Sequence, residues 1–329
     1  MRDERRPTLT DVAERAGVSK SLVSLVMRDE PGAGAETRRR VLEAAGQLGY
    51  QPDSRARLLR SGRSRLLGVV FGIQHPFHAD LVTGLYTAAR ETGYELALSA
   101  VTADRDEAEA IAGLLQDRCE ALILLGPHSS AASLARLSGR MPVVSLARPV
   151  RHTGVDVVRS ADAEGSGLAV DHLAGLGHTA IAHIDGGRAP GAAERRRGYR
   201  AAMDRHGLTG RILPGGLTES EGAAAARALL ADPPTAVTVF NDRCATGVLD
   251  VLSRNGIAVP DELSMVGYDD SSLARLAHIN LTTVAQDVTT MTRSALTRAI
   301  ARVQNEPITR REIIVPPHLV VRGTTAPPA

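Results

Sequence analysis

Apolar positions recur at helical spacing through the first fifty residues. Leu9, Val12, Ala13 and Ala16 stand at i, i+3, i+4 and i+7, one face of a helix. Thr8, with Asp11 three residues on, has the form of a capping box, and Gly17 supplies a left-handed stop. A second helix starts after Ser19, with Val23, Val26 and Met27 inward and Lys20, Ser21, Ser24 and Arg28 outward. A loop over 31–34 leads to a third helix over 35–48. Val41, Ala44, Ala45 and Leu48 form its stripe, Arg38, Arg39 and Arg40 lie near its start, and Gly49 ends it. Two helices about a glycine turn, the second short and polar on one face, predict a helix-turn-helix, whose second helix enters a DNA major groove. An ordinary small helical subdomain would show the same pattern.

Beyond residue 65 the pattern changes to short apolar runs alternating with helical stripes. Strands are predicted over 66–71, 94–101, 121–125 and 143–146, with helices over 78–92, 105–116 and 130–137 between them. A second series starts near Asp162. It has helices over 165–176, 192–206, 219–230 and 245–255 and strands over 180–184, 236–240 and 264–268. Repeated β-α alternation predicts doubly wound parallel sheets in two α/β lobes, with ligand in the cleft at the carboxyl ends of the strands. Between head and body, 53–63 reads DSRARLLRSGR. Asp53 or Ser54 can cap a short helix there, too short to persist alone and expected to fold on binding.

Composition sharpens this picture in three ways. Of 329 residues, 43% are hydrophobic and 23% charged, ordinary globular usage. No apolar run approaches the roughly 18 residues that span a bilayer. The opening MRDERRP precedes no apolar stretch, so no secretory signal is expected, and two cysteines suit a reducing, cytoplasmic location beside the nucleoid. The net charge of +2 hides an asymmetry: residues 1–65 carry +5 and residues 66–329 carry −3. A basic head on a mildly acidic body suits a polyanion-binding module. Lys20 is the one lysine among 39 basic residues. No G-x-G-x-x-G or P-loop signature and no nucleophile–base arrangement is present, so an enzyme is not expected, nor any cofactor. His172, His178 and His183 lack metal-ligand spacing and are expected to be structural, with no metal.

The head residues carry a resemblance. The runs 8–19 (TLTDVAERAGVS) and 48–52 (LGYQP), with Val23, Ser24, Thr37 and Arg38 between them, resemble the DNA-binding head of the lactose-repressor (LacI/GalR) family. The body adds 67–70 (LGVV), 75–77 (HPF), 176–178 (LGH), Arg195 with Gly198 and Tyr199, 240–242 (FND), 259–270 (VPDELSMVGYDD), 281–284 (LTTV) and 319–324 (LVVRGT), in family order. The resemblance implies a dimeric repressor of near-palindromic double-stranded operator DNA, controlled by a small hydroxyl-rich effector. Its fold would be a helix-turn-helix domain (1–52), a hinge (53–64) and a two-lobed periplasmic-binding-protein-like core (65–329). Lobe 1 would hold about 65–160 plus 283–315, and lobe 2 about 161–282 plus 316–329. A sugar-binding transport-type protein with the same core is the alternative, opposed by the head and the missing signal.

Carried over position by position, Lys20, Ser21 and Leu25 would read bases, with Ser24 nearby; Thr8, Ser19, Ser24, Thr37 and Arg38 would hold phosphate, and Tyr50 would belong to the DNA-binding head. In the hinge, Leu59 would wedge into the minor groove, Ala56 would form the helix–helix contact and Arg55 and Arg57 would lie near phosphates. The dimer face would include the helix around Leu81 and Leu85. Arg195, in the first turn of a helix after a strand, can point its donor fork into the cleft. Asn241 and Asp269 lie just past strand ends, where polar side chains face ligand or form turns. Phe77 offers an apolar face, and Asp162 is the acid expected in place of one missing at Ala147. Aromatic stacking in the cleft is restricted to Phe77, Tyr199, Phe240 or Tyr268.

One experiment separates base reading from wedging. Lys20→Ala is expected to relax operator specificity, a cost of about 1–3 kcal/mol concentrated at one base pair. Leu59→Ala is expected to weaken operator binding while sparing random-sequence DNA; competition gel shifts with operator and random duplexes read both.

Overall fold

The computed structural model describes residues 7–27, 29–50, 63–151 and 154–329. Arg28 and the expected hinge helix, with Arg55, Ala56, Arg57 and Leu59, lie outside the described residues. The chain divides into two units, Met1–Ser64 and Arg65–Ala329.

In the first unit, α1 (Leu9–Ala16), α2 (Lys20–Met27) and α3 (Ala35–Leu48) enclose Val12, Ala13, Ala16, Val23, Val26, Val41, Ala44 and Ala45. Met27, Leu48 and Tyr50 pack against that core from its edge. The capping box forms: the Thr8 amide donates to Asp11 Oδ2 at 2.6 Å, and the Asp11 amide donates back to Thr8 Oγ1 at 3.4 Å. Gly17, at φ 63°, closes α1 with amides returning to the last turn. Ser19 Oγ accepts the Leu22 amide at 3.2 Å and starts α2 without delay. These two devices set the tight turn that holds α2 across α1.

The second unit holds two six-stranded sheets. The first is built from β1 (Leu66–Gly72), β2 (Glu95–Val101), β3 (Ala121–Leu125), β4 (Val143–Leu146), β5 (Val155–Ser160) and, from far along the chain, β11 (Glu312–Val315). Its order is β11-β5-β4-β3-β1-β2, and every pairing is parallel. On one face lie α4 (Pro76–Ala89) and α11 (Val288–Val303), which bury Leu81, Leu85, Met291, Ala295 and Leu296. On the other lie α5 (Glu107–Gln116) and α6 (Ala131–Ser138), with Ala110, Leu114 and Leu134 inward.

The second sheet comprises β6 (Ile181–Asp185), β7 (Arg211–Pro214), β8 (Ala236–Val239), β9 (Ser264–Asp269), β10 (Thr283–Ala285) and β12 (His318–Val320), in the order β12-β10-β9-β8-β6-β7. β12 is antiparallel to β10 and the other pairings are parallel. Its faces are covered by α7 (Asp162–Gly175) with α8 (Ala192–Arg205), and by α9 (Glu219–Ala231) with α10 (Asp242–Arg254). Three crossings join the lobes, after β5, after β10 and after β11. β10 belongs to the second sheet, so the crossing expected near residue 283 falls after Ala285 instead.

Several elements depart from the sequence pattern. β5 escaped because Asp156 interrupts its apolar run. That carboxylate is 1% exposed and is neutralised by Arg302 Nε at 2.6 Å, with Arg298 at 3.8 Å, a pairing made only by the fold. β7 is a short edge strand, four residues long and ending in proline. Helices α4, α7 and α10 start two to three residues before the expected positions, since Pro76, Asp162 and Asp242 already lie in their first turns. Leu81 and Leu85 are fully buried in the lobe 1 core, so they cannot form a dimer face. Tyr199 is likewise core: its hydroxyl donates to the Ile181 carbonyl at 2.7 Å, beneath the cleft rather than in it. The expected structural histidines are so, His178 bridging Thr235 and the Ala326 carbonyl at 2.9 Å each.

Lobe 2 depends on glycine at its helix crossings. A Cβ on Gly222 would overlap the Cys244 carbonyl, and one on Gly247 would overlap that of Glu219, so α9 and α10 touch backbone to backbone. Gly247→Ala is therefore expected to cost at least about 1–3 kcal/mol. Gly175→Ala, where a Cβ meets open space, is expected to be neutral or mildly stabilising. Thermal melting of the two variants checks the contrast.

Candidate functional site

Strand β8 ends at Val239 and β9 at Asp269, and α8 starts at Ala192. Their ends converge on one side chain. Arg195 is 6% exposed, in the first turn of α8. Its Nε donates to Asp162 Oδ1 at 2.9 Å, Nη1 to the Phe240 carbonyl at 2.5 Å and Nη2 to Asp269 Oδ1 at 3.4 Å. Its guanidinium carbon lies 3.5 Å from the Tyr268 ring centroid and 4.6 Å from that of Phe240. A buried cation persists only when paired and hydrogen-bonded, and here Nε, Nη1 and Nη2 each donate one bond, with two aromatic rings beside the guanidinium.

Two carboxylates share this one cation. Burial is the larger effect on both and raises their affinity for protons; Arg195 opposes it. Asp162 moves upward, and Asp269 is pushed up to about 6. Gln286 Nε2 donates to the same Asp269 oxygen at 2.8 Å. Asp269 and Asp270 have φ of 104° and 51°, a sparsely populated backbone costing about 1–3 kcal/mol per residue. The strain is held by ties on both sides. Arg322 binds Asp270 Oδ1 at 2.6 Å, and the Ser271 amide donates to Asp242 Oδ2 at 2.7 Å. Asp242 also accepts from Thr283 Oγ1 at 2.6 Å. Burial, aided by Asp269, lifts Asp242 to about 7.

Phe77, Arg195, Asn241 and Asp269 line one cavity of about 60 Å³, with Ala147, Phe240 and Gln286. It lies between the lobes, far below the roughly 300–1,000 Å³ of an ordinary ligand site. One contact crosses the cleft: Arg243 of α10, held by Glu219 at 2.7 Å, donates to the Gln74 carbonyl of lobe 1. A chamber of about 210 Å³ adjoins on the lobe 1 side, sharing His75, His78, Gly126 and His128. A polar groove of about 670 Å³ along α4 and α11 shares Asp269 and Gln286.

Four of the five expected effector residues thus meet. Asp162 does not line the cavity; 2% exposed, it stands behind Arg195 and orients it. Asn241 has both expected characters, since it lines the cavity while its Oδ1 caps α10 through the Cys244 amide at 2.7 Å. Gln286 was missed, as was the histidine wall. Gln286 follows β10, a three-residue strand with no pattern of its own, and its proximity to Asp269 comes only from β9–β10 pairing.

On the head, Ser19, Lys20 and Ser21 are exposed at the start of α2, with Ser24 and Leu25 half-buried beside them. Lys20, Ser21, Ser24 and Leu25 therefore face away from Val23 and Val26. Arg38 is tied to Asp29 at 2.5 Å and to the Glu30 carbonyl at 2.8 Å, linking α3 to the loop after α2. Thr8 and Thr37 are half-buried at helix starts.

Residues 8–53 match the family model described as bacterial regulatory proteins, lacI family, and residues 170–325 match the periplasmic binding protein-like domain. The chain is 33% identical to HTH-type transcriptional regulator GalR of Escherichia coli (strain K12), over 98% of this chain and 96% of that protein. A LacI transcriptional regulator from a Rhodococcus species is 50% identical, with a TM-score of 0.77 over 80% of this chain and 98% of that one. The lac repressor dimer bound to operator and the anti-inducer ONPF is 27% identical, with a TM-score of 0.83 over 98% of this chain and 100% of that one.

The buried acids make stability depend on pH. Asp269 and Asp242 titrate near 6 and 7 in the folded chain and near 4 unfolded. The folded state therefore holds more protons in between, and the stability this gives is complete below about pH 4 and lost as pH rises through 6 and 7. Urea midpoints of the core are expected to fall between pH 5 and 8, and Asp242→Asn is expected to flatten the part nearest pH 7.

Proposed function

The chain belongs to the lacI family of bacterial regulatory proteins and is a DNA-binding transcriptional regulator, and we propose that it works as a dimeric repressor whose operator affinity is set by a small, hydroxyl-rich effector in the cleft around Arg195 and Asp269. The observation that carries the effector reading is the cavity itself. It brings together a guanidinium fork, an acid with a free oxygen, an amide and an apolar ring from both lobes. Such a set fits hydroxyls that both donate and accept. Asp162 belongs to this site as the residue that orients Arg195.

The head supplies the DNA contacts. Lys20, Ser21 and Leu25 face base edges, and Thr8, Ser19, Ser24, Thr37, Arg38 and Tyr50 place the head on the backbone. Arg55, Ala56 and Leu59 act from the hinge. Two heads are needed for a near-palindromic site, and the lac repressor resemblance supports a homodimer. Its lobe 1 face is assigned to the outward side of α4 and to edge strand β2, where Tyr86 and Leu98 are 46% and 41% exposed. The working location is the cytoplasm, beside the nucleoid; no helix among the described residues is long and apolar enough to cross a membrane. No reaction is assigned to the cleft, and the relatives are regulators rather than enzymes.

The switch follows from the three crossings. Effector seated between the lobes changes their angle, and lobe 1 begins at Leu66, directly after the hinge. DNA and effector must then alter each other's affinity by the same factor.

The test uses the full chain and genomic fragments, selected for binding and then measured by fluorescence anisotropy with and without candidate sugars. A selected inverted repeat should bind at least about a thousand-fold tighter than random duplex, and one sugar should shift that affinity. Arg195→Ala and Asp269→Ala should each weaken the effector response about ten- to hundred-fold in concentration. No preference over random DNA defeats the repressor reading; an undiminished response in both variants defeats the site.

A further inference from the structure

The lobe 1 wall of the cleft is made of histidines. β1 ends at Gly72 and α4 starts at Pro76, so His75 and His78 flank the helix start; β3 ends at Leu125, and His128 follows three residues on. The His75 and His78 rings lie 4.8 Å apart, tilted by 49°. His78 Nδ1 accepts the Gly72 amide at 3.0 Å, which leaves the proton of the neutral ring on Nε2. That atom is directed toward Gly126, at φ 51°, where a Cβ would come within 3.3 Å of it. All three imidazoles line both the small cavity and the adjoining chamber of about 210 Å³.

Among the described residues no carboxylate pairs with any of the three; the histidine that does pair with one is His206. Glu107 of α5, the acid of that chamber, accepts instead from the amides of His128 and Ser129 at 2.6 and 3.1 Å. The other charged groups nearby are Asp269 and Arg195, across the small cavity, and two further cations. Arg243 of α10 reaches the Gln74 carbonyl, and Arg148 donates to the carbonyls of Pro127 and Ser129. Among the described residues no cluster has a metal-binding arrangement. Three histidines bordering one chamber, whose acid Glu107 is taken up by backbone amides, leave a place for a negative group.

Resting on the effector reading above, we propose that the effector carries an oxyanion, a carboxylate or a phosphate, seated against His75, His78 and His128 while its hydroxyls meet Arg195 and Asp269. A sugar acid and a sugar phosphate are the two sources of that chemistry. The ligand spans both chambers, which accounts for the small volume on the Arg195 side.

The proton balance gives the inference a signature. Burial and neighbouring positive charge hold His78 down at about 3 and lower His75, so both are neutral in the free protein near pH 7. An anion favours the charged ring, so binding draws in a proton and tightens as pH falls. Asp269, near 6 and across the cavity, gains charge as pH rises and acts in the same direction. Glu107, Arg148 and Arg243 are the remaining charged groups around the wall.

The experiment is calorimetric titration of the full-length protein at pH 6 and pH 8. The probes are D-gluconate, D-galactonate, D-glucose 6-phosphate and D-ribose 5-phosphate against D-glucose, D-galactose and D-ribose. At least one anion should bind about ten-fold or more tighter than its neutral parent, more so at pH 6. The His75→Gln/His128→Gln variant should lose that preference, so that the anion and its neutral parent bind within about two-fold of each other. Gluconate against glucose 6-phosphate separates the two sources. A neutral sugar binding as tightly as its anion, or a preference that survives in the variant, overturns the proposal while the effector reading stands. If no sugar binds, inorganic phosphate decides. A raised titration midpoint of His75 by NMR supports the oxyanion seat, and an unmoved midpoint overturns it. Failure of the effector reading itself shows separately, as operator affinity that no sugar alters.

Discussion

The guanidinium of Arg195 fixes the geometry of lobe 2 at the cleft. It holds the first turns of α7 and α8 together through Asp162, the end of β8 through the Phe240 carbonyl and the end of β9 through Asp269. Desolvating such a cation is costly, and neither acid alone would offset it. The two together, with the Tyr268 and Phe240 rings on the flanks, leave the cation satisfied and one acid partly free. That residual charge is what a hydroxyl-bearing ligand can use. On the proposed effector site, ionic pairing and ligand recognition would be one interaction, seen from behind the cavity and from within it.

A second buried pairing plays the matching part in lobe 1. Asp156 on β5 is neutralised by Arg302 and Arg298 on α11, which arrives from beyond the second crossing. The pairing docks the returning segment onto the sheet, beside the apolar contacts of Met291, Ala295 and Leu296. α11 also packs along α4, whose start carries the histidine wall. The two lobes are thus each stabilised by an arginine–carboxylate contact between segments far apart in the chain, and the crossings connect them.

How much of this was legible depended on the distance over which each feature is determined. The head was readable almost residue by residue, because its caps and stripes are local: Thr8 with Asp11, Gly17, Ser19, and Ala35–Leu48 all stand where the pattern places them. The β-α alternation was readable for the same reason. β5 was hidden because Asp156 looks like a surface residue until α11 supplies its partners. Leu81 and Leu85 show a helical stripe, but a stripe does not say whether it faces a core or a second subunit. Gln286 lies beside Asp269 only through strand pairing. Asp162 was expected to face ligand but stands behind Arg195 instead, since a period of 3.6 gives a face and not a depth.

The contact across the cleft gives the switch its energetic form. Arg243 reaches the Gln74 carbonyl, and the cavity between the lobes is about 60 Å³. A ligand larger than that space must either part the lobes or extend into a neighbouring chamber, and these have opposite consequences. Parting works against the Arg243 contact to the Gln74 carbonyl. Extension into the histidine chamber keeps the lobes together and adds contacts across them, which stabilises that arrangement. On the proposed effector, the sign of regulation would follow from whether the ligand reaches the histidines. A coupling of about 1–3 kcal/mol is enough to change DNA affinity roughly five- to 150-fold.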